Sequence, residues 1–304
     1  MNLILSVVHG MEYEKVASFL ESFVATGSGA QMHLFVCGVS RESIKKMELP
    51  GITIHPFKYL SFRQRQPLLV AWPLWKRMLA GRDFEGKRAL GKKVFHLASM
   101  RFILYYEFLM EHGNEFENVM LTDSRDVDFQ RDPFSDNLGP GLHCFLEAKT
   151  QFIGKCASNT AMLQGSFGPK VLAELADCRV SCSGTTIGDV ESIMTYLKMM
   201  IELSASGVSM FGGSDQGVHN FIVHRKLIPS MRLHDNYDST VFTAGCEAYE
   251  GIRWNAEDEI IRDDGKPYPV LHQHDRDPVM RERLLAKLRQ RMEAGKGALG
   301  ALGA

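Results

Sequence analysis

The chain has 304 residues, 45% hydrophobic and 23% charged, the mixture of an ordinary globular protein. This excludes disorder along the whole length, and leaves room for one α/β domain with elaborations or two small domains. A net charge of -1 removes the electrostatic case for nucleic acid as the main partner, since a phosphate-binding surface usually carries a basic excess.

Six cysteines (Cys37, Cys144, Cys156, Cys178, Cys182 and Cys246) form no Cys-x-x-Cys pair and are too sparse for a disulfide framework. Cys178 and Cys182 would sit one turn apart on a helix, but two thiols do not make a zinc site. All six are read as buried free thiols. The first residues carry no basic leader and too short an apolar run for a signal peptide. No later stretch has the uninterrupted apolar length of a membrane span. The expectation is a cytoplasmic protein.

In chain order, Leu3 to Val8 is an apolar, partly β-branched run suited to a buried parallel strand. Tyr13, Val16, Ala17, Leu20, Phe23 and Val24 then fall on one face of a helix, which Gly27-Ser28-Gly29 breaks. His33–Cys37 and Ile52–Ile54 are further strand candidates, so the opening reads as βαβ and implies a parallel sheet. From Tyr59 to Lys93 cations are interleaved with Trp72, Trp75 and Phe84, around Pro67 and Pro73. Such a mixture suits either single-stranded nucleic acid or amphipathic cover over a core, and the near-neutral total favours cover. A helix is predicted over Phe95–Met110, stopped by Gly113-Asn114. Val119–Thr122 is a short strand running into Asp123-Ser124-Arg125-Asp126-Val127-Asp128. Helices are expected over Ile193–Leu203, Gly217–His224 and from Pro278 onward, with a frayed Gly/Ala/Leu tail from Gly295. There are no repeats and no clean linker. Residues 1–277 read as one domain, and 278–304 as a charged helix with a flexible end.

The acidic segment is the most informative. Ligands of open α/β sheets bind at the carboxyl ends of strands, and three carboxylates at such an end repel one another unless a cation neutralises them. Hard oxygen ligands suit Mg²⁺ or Mn²⁺. The competing reading is a turn in which Asp123 caps the backbone and the other two face water.

Val119 to Val127 resembles the hydrophobic strand and Asp-x-Asp motif of GT-A glycosyltransferases, and other motifs follow in the order of that family. The resemblance implies a GT-A-like α/β fold, with a Rossmann-type, mostly parallel central sheet flanked by helices. It also implies a divalent ion, Mn²⁺ or Mg²⁺, bridging the diphosphate of a nucleotide-sugar. This chain departs from the plain spacing: two residues separate Asp123 from Asp126, and the regular Asp126-Val127-Asp128 lies deeper. Asp123 and Asp126 are therefore the preferred metal ligands, Asp128 a lesser one, and Asp123 is also placed to touch the ribose. His9 and Gly10, after the first strand, would meet the nucleotide; a plain turn is the alternative for Gly10. Arg101, on the helix before the acidic strand, would reach the phosphates with its guanidinium fork, or else form a surface ion pair. Ser183 and Gly184, in Cys182–Gly188, would line the donor pocket, unless that segment is a helix cap at Thr186 or Gly188. Asp215, in Gly212–Asn220, would orient a sugar hydroxyl or act as general base, or simply cap a helix. His272, after Val270-Leu271, would complete the metal site, with His274 as alternative on the same strand face. Arg276 would neutralise the leaving diphosphate.

The expected activity is transfer of a sugar from a nucleoside-diphosphate-sugar to the hydroxyl of a saccharide or other acceptor. The alternatives are a metal-dependent sugar nucleotidyltransferase and a non-catalytic carbohydrate-binding protein of the same fold. The first would want a Gly-rich basic loop after the first strand, and His9-Gly10-Met11-Glu12 does not supply one.

Overall fold

The computed structural model describes residues 1–59, 72–206 and 214–302, so stretch 60–71 with Pro67, and Gly212 and Gly213, lie outside the described residues. The strands are β1 (Asn2–His9), β2 (Gln31–Cys37), β3 (Ile52–Pro56), β4 (Asn118–Thr122), β5 (Val127–Phe129), β6 (Leu142–Leu146), β7 (Ser181–Asp189), β8 (Met231–His234), β9 (Val241–Thr243) and β10 (Val270–His272). The helices are α1 (Tyr13–Ala25), α2 (Arg41–Met47), α3 (Trp72–Ala80), α4 (Phe84–Val94), α5 (Leu97–His112), α6 (Ala157–Phe167), α7 (Pro169–Leu175), α8 (Val190–Ser206), α9 (Ser214–His224) and α10 (Pro278–Leu302). A seven-stranded, mostly parallel sheet has the order β3-β2-β1-β4-β7-β6-β8, and a separate small sheet has the order β5-β10-β9. The expected central sheet is thus present.

Two compact units divide the chain. One comprises Met1–Pro56, Leu121–Gly139 and His234–Ala304; the other comprises Phe57–Met120 and Pro140–Leu233. In the first unit β1 pairs in parallel with β2, Leu3 opposite Gln31, and β2 pairs in parallel with β3. Leu3, Ile4, Leu5 and Val8 of β1 are buried, which is why its sequence is almost continuously apolar rather than alternating. Helix α1 buries Val16, Phe19, Leu20 and Phe23 along one stripe. The Phe19 and Phe23 rings pack on Phe129 of β5, with centroids 5.5 and 5.9 Å away. Helix α10 adds Met280 and Leu284 to a cluster with Phe242, Tyr268 and Leu271. It runs through Gly295 to Leu302, where the sequence suggested fraying.

In the second unit α5 is buried along most of its length, including Phe102, Ile103, Tyr105 and Phe108. It begins two residues later than predicted and ends at His112, where Gly113 caps it. Strand β7 is buried over eight of its nine residues and pairs antiparallel with β6. The segment Cys182–Gly188 is therefore strand, not helix cap. The cap of α8 is the next residue, Asp189, whose Oδ1 accepts the Ser192 N–H at 2.8 Å.

All six cysteines are free, but only Cys144 and Cys182 are buried; Cys37, Cys156 and Cys178 are half-buried and Cys246 is exposed. The helical pairing of Cys178 with Cys182 does not occur, because Cys182 lies in β7. Among the described residues no helix is long and apolar enough to cross a membrane.

Candidate metal centre and sugar-binding residues

Strand β4 ends at Thr122, and the chain turns through 123–126 before β5. Two serine hydroxyls fix this turn against β1. Ser6 Oγ donates to the Thr122 carbonyl and Ser124 Oγ to the Val7 carbonyl, each at 2.8 Å. Satisfied polar groups at a strand end hold the backbone in one conformation, so the carboxylates that follow are presented from a fixed base. Sequence reading passed over both serines, since nothing in their spacing announces a partner more than a hundred residues away.

The small sheet supplies the rest of the centre. β5 and β10 are antiparallel, with His272 opposite Val127 and Leu271 opposite Asp128. The Gln273 N–H continues the ladder to the Asp126 carbonyl at 2.7 Å. This register carries the His272 imidazole to the acidic turn: its Nε2 lies 3.8 Å from Asp123 Oδ2 and 3.9 Å from Asp126 Oδ1. One ligand atom from each of the three residues lies within 4.8 Å of the others. Neighbouring ligands of an ion with bonds of about 2.1 Å sit about 3 Å apart, so modest side-chain rotation closes the set. His272 and Asp126 are buried, while the Asp123 side chain is 35% exposed and has room to turn. Two carboxylates and an imidazole form a mixed O/N set of hard and borderline donors. The residues present fit a divalent cation.

Asp128 lies outside this group; its Oδ2 accepts the Ser18 hydroxyl at 2.7 Å. His274 is not on the strand face of His272 either. Gln273 adopts a left-handed conformation (φ 57°) that ends β10, and His274 begins a 3-10 turn through Arg276. Arg276 is exposed and lies against Gly245, where an added Cβ would come within 2.9 Å of its guanidinium. His9 and Gly10 are both exposed at the end of β1. Gly10 takes φ +64° and its N–H donates to the Cys37 carbonyl at 2.9 Å, so it makes the turn there.

The second unit brings together Arg101, Ser183 and Asp215, with Gly184 next to Ser183 in β7. Asp215 occupies the second residue of α9 and accepts Arg101 Nη2 at 3.0 Å and the Ser183 hydroxyl at 3.4 Å. The pair is enclosed, with the Arg101 and Asp215 side chains 13% and 10% exposed, which rules out a surface ion pair. The Arg101 and Ser183 bonds hold the Asp215 carboxylate in one orientation.

Gln216 follows Asp215 in the Gly212–Asn220 segment, where sequence reading assigned it no role of its own. Its Oε1 accepts the Ser183 N–H at 2.8 Å and its Nε2 donates to the Ser181 carbonyl at 2.7 Å, which clamps β7 to α9. Behind it, buried His219 bonds Tyr196 Oη through Nδ1 at 2.8 Å and Ser181 Oγ through Nε2 at 2.9 Å. Ser181 donates its own proton to the Phe145 carbonyl, so His219 Nε2 is the donor and Nδ1 accepts from Tyr196. Burial, helped by the charges of His224 and Arg101, lowers the His219 pKa to about 3 and keeps the ring neutral.

No protein-family model matches the chain, and no curated protein does. Among solved structures, the galactosyltransferase LgtC in complex with donor and acceptor sugar analogues superposes with a TM-score of 0.52. The match covers 95% of this chain and 96% of LgtC at 14% identity. A second LgtC structure, of an active-site mutant, gives a TM-score of 0.47 at 12% identity over 90% of this chain and 86% of that one. At such identity the likeness establishes the fold, which is GT-A.

Proposed function

We propose that the chain is a glycosyltransferase that uses a nucleoside-diphosphate-sugar donor and a divalent cation, with residues 1–277 as its catalytic part. The observation that carries this reading is the convergence of Asp123, Asp126 and His272 after a central strand of a GT-A sheet. Asp123, Asp126 and His272 would hold the ion, Mn²⁺ being favoured by the imidazole. When bound, the cation supplies Lewis-acid stabilisation of the leaving diphosphate. The protein's own part is positional. Ser6 and Ser124 hold the acidic turn, the β5–β10 register aims His272, and Arg276 offers a further positive charge to a phosphate. His9 and the Gly10 turn would meet the nucleotide.

In the second unit, Asp215 would accept a sugar hydroxyl while Arg101 fixes its carboxylate, and Ser183 and Gly184 would offer hydroxyl and backbone groups to the same sugar. The likeness to LgtC, a galactosyltransferase captured with donor and acceptor analogues, supports glycosyl transfer as the reaction class. A saccharide hydroxyl is the favoured acceptor.

The decisive experiment is a panel of nucleotide-sugars titrated calorimetrically into the chain with and without Mn²⁺. Donor binding that requires the cation, and that Asp126→Ala abolishes, supports the assignment. Equal binding with and without Mn²⁺ would overturn the metal's role, and no binding by any donor would favour a carbohydrate-binding protein without turnover.

A further inference from the structure

Apart from the metal centre, the first unit has a half-open cavity of about 550 Å³ lined by residues of α1 and α10, Lys46 of α2, Arg125 of the acidic turn, and the His274-Asp275 corner. That volume lies within the range of pockets for small organic ligands. Three observations bear on its occupant.

The first is charge. Lys15, Lys46, Arg125, Arg281 and Arg289 line the cavity against three carboxylates, Glu14, Glu21 and Asp275. Two of the cations are already engaged. Lys46 Nζ bonds Glu14 at 3.2 Å and Glu42 at 3.1 Å, and Arg125 Nε bonds Asp275 at 3.3 Å. Lys15, Arg281 and Arg289 are exposed and form no ion pair among the described residues, which leaves three cations against one remaining carboxylate, Glu21, held by the Tyr13 hydroxyl. The second is unmet hydrogen bonding. His274 is 3% exposed, and neither ring nitrogen has a hydrogen-bond partner; Asp275 Oδ1 is likewise buried without one. Buried polar groups are ordinarily satisfied, and those left over at a cavity wall mark where an occupant's polar groups belong. The third is the character of the unmet groups. A neutral imidazole offers one N–H and one lone pair, and a carboxylate oxygen only accepts, so hydroxyls that both donate and accept complement the set. Leu285 and Leu288 add apolar surface for the C–H face of a ring.

We propose that this cavity binds an anionic saccharide, its carboxylate or phosphate held by Lys15, Arg281 and Arg289, and its hydroxyls by His274 and Asp275. The site is separate from the metal centre, and Arg125 is the link, since its Nη2 also lies 3.5 Å from Asp126 Oδ2. The proposal does not depend on glycosyl transfer being the reaction.

Calorimetric titration of the full chain without Mn²⁺ tests it, using glucuronate, glucose 6-phosphate, neutral glucose and inorganic phosphate. Saturable binding of either acidic sugar, at least about tenfold tighter than glucose or phosphate, is the expected result. Arg281→Ala with Arg289→Ala, and separately Lys15→Glu, should weaken that binding at least about tenfold with unchanged circular dichroism. Asp126→Ala should leave it intact. No binding of either acidic sugar, or unaltered binding in the arginine and lysine variants, would overturn the proposal. Phosphate binding as tightly would reduce the site to a simple anion pocket and overturn its saccharide part. Loss of binding in Asp126→Ala would place the ligand at the metal centre instead, and would equally defeat the separate site.

Discussion

Replacing Asp189 by Ala removes a carboxylate that serves two structural roles at the junction of β7 and α8. One oxygen accepts the Ser192 N–H at 2.8 Å, capping α8. The other accepts the Gly141 N–H at 2.5 Å and the Ser192 hydroxyl at 3.1 Å, tying the helix start to the entry of β6. Loss of an N-cap costs about 1 kcal/mol, and a stranded backbone N–H costs about 1–3 kcal/mol where water cannot replace its partner. Asp189 is only half-buried, so water recovers part of this, and the expected loss is about 2–3 kcal/mol. Urea unfolding should show a lower midpoint with unchanged slope, and Asp189→Asn should recover much of the loss because its amide oxygen can still cap. A loss below about 0.5 kcal/mol in Asp189→Ala would refute the reasoning, since that is the scatter of ordinary surface substitutions.

The pH dependence gives a second readout of the same side chain. Burial raises the Asp189 pKa, but the Ser192 and Gly141 N–H groups outweigh it and hold the carboxyl below its ordinary value. A depressed folded pKa contributes stability above the unfolded value, near about 3.9, and that contribution disappears as pH falls through the folded pKa. The gap between wild type and Asp189→Ala should therefore narrow in strong acid, towards the part that a neutral capping oxygen still supplies.

His219 predicts the opposite chemistry in a higher window. The unfolded ring takes a proton near pH 6.5 while the folded ring resists protonation down to about 3, so stability should fall with acidification between those values, by up to about 1.4 kcal/mol per pH unit. His219→Gln should flatten that slope, and an unchanged slope would count against the neutral ring. Arg101→Ala should destabilise the second unit by about 2–3 kcal/mol by stranding Asp215, and Arg101→Ala with Asp215→Asn should recover part of it. Unfolding of the two variants settles this, with additive losses as the contrary outcome. His272→Ala should weaken Mn²⁺ binding, read from the electron paramagnetic resonance of the free ion, by at least about tenfold; unaltered affinity would remove His272 from the centre.

What could be read from the sequence was whatever local chemistry dictates. The almost continuously apolar run of β1, the single buried stripe of α1 and the short strand before Asp123 each follow from a few adjacent side chains, and each appears in the structure near its expected bounds. The preference for Asp123 and Asp126 over Asp128 rested on where the strand stops, which is also local. Errors came where a neighbour distant in sequence decided the outcome. The alternative of a helix cap at Thr186 or Gly188 falls for the same reason: pairing of β7 with β6 makes Cys182–Gly188 strand and passes the capping role to Asp189. His274 was placed on the strand face of His272 by counting two residues, but the left-handed Gln273 ends the strand first.

Sequence alone thus determined the kinds of group available, two carboxylates after a strand and an imidazole far along the chain, because residue type and local periodicity are written in adjacent positions. Only tertiary structure decided that these groups meet. Antiparallel pairing of β5 with β10 sets His272 against Val127, and a slip of one residue would turn the imidazole to the opposite face of the sheet. Likewise, Arg101 and Asp215 are 114 residues apart and become partners only through packing. Register and packing are properties of pairs of segments, which is why no single segment announces them.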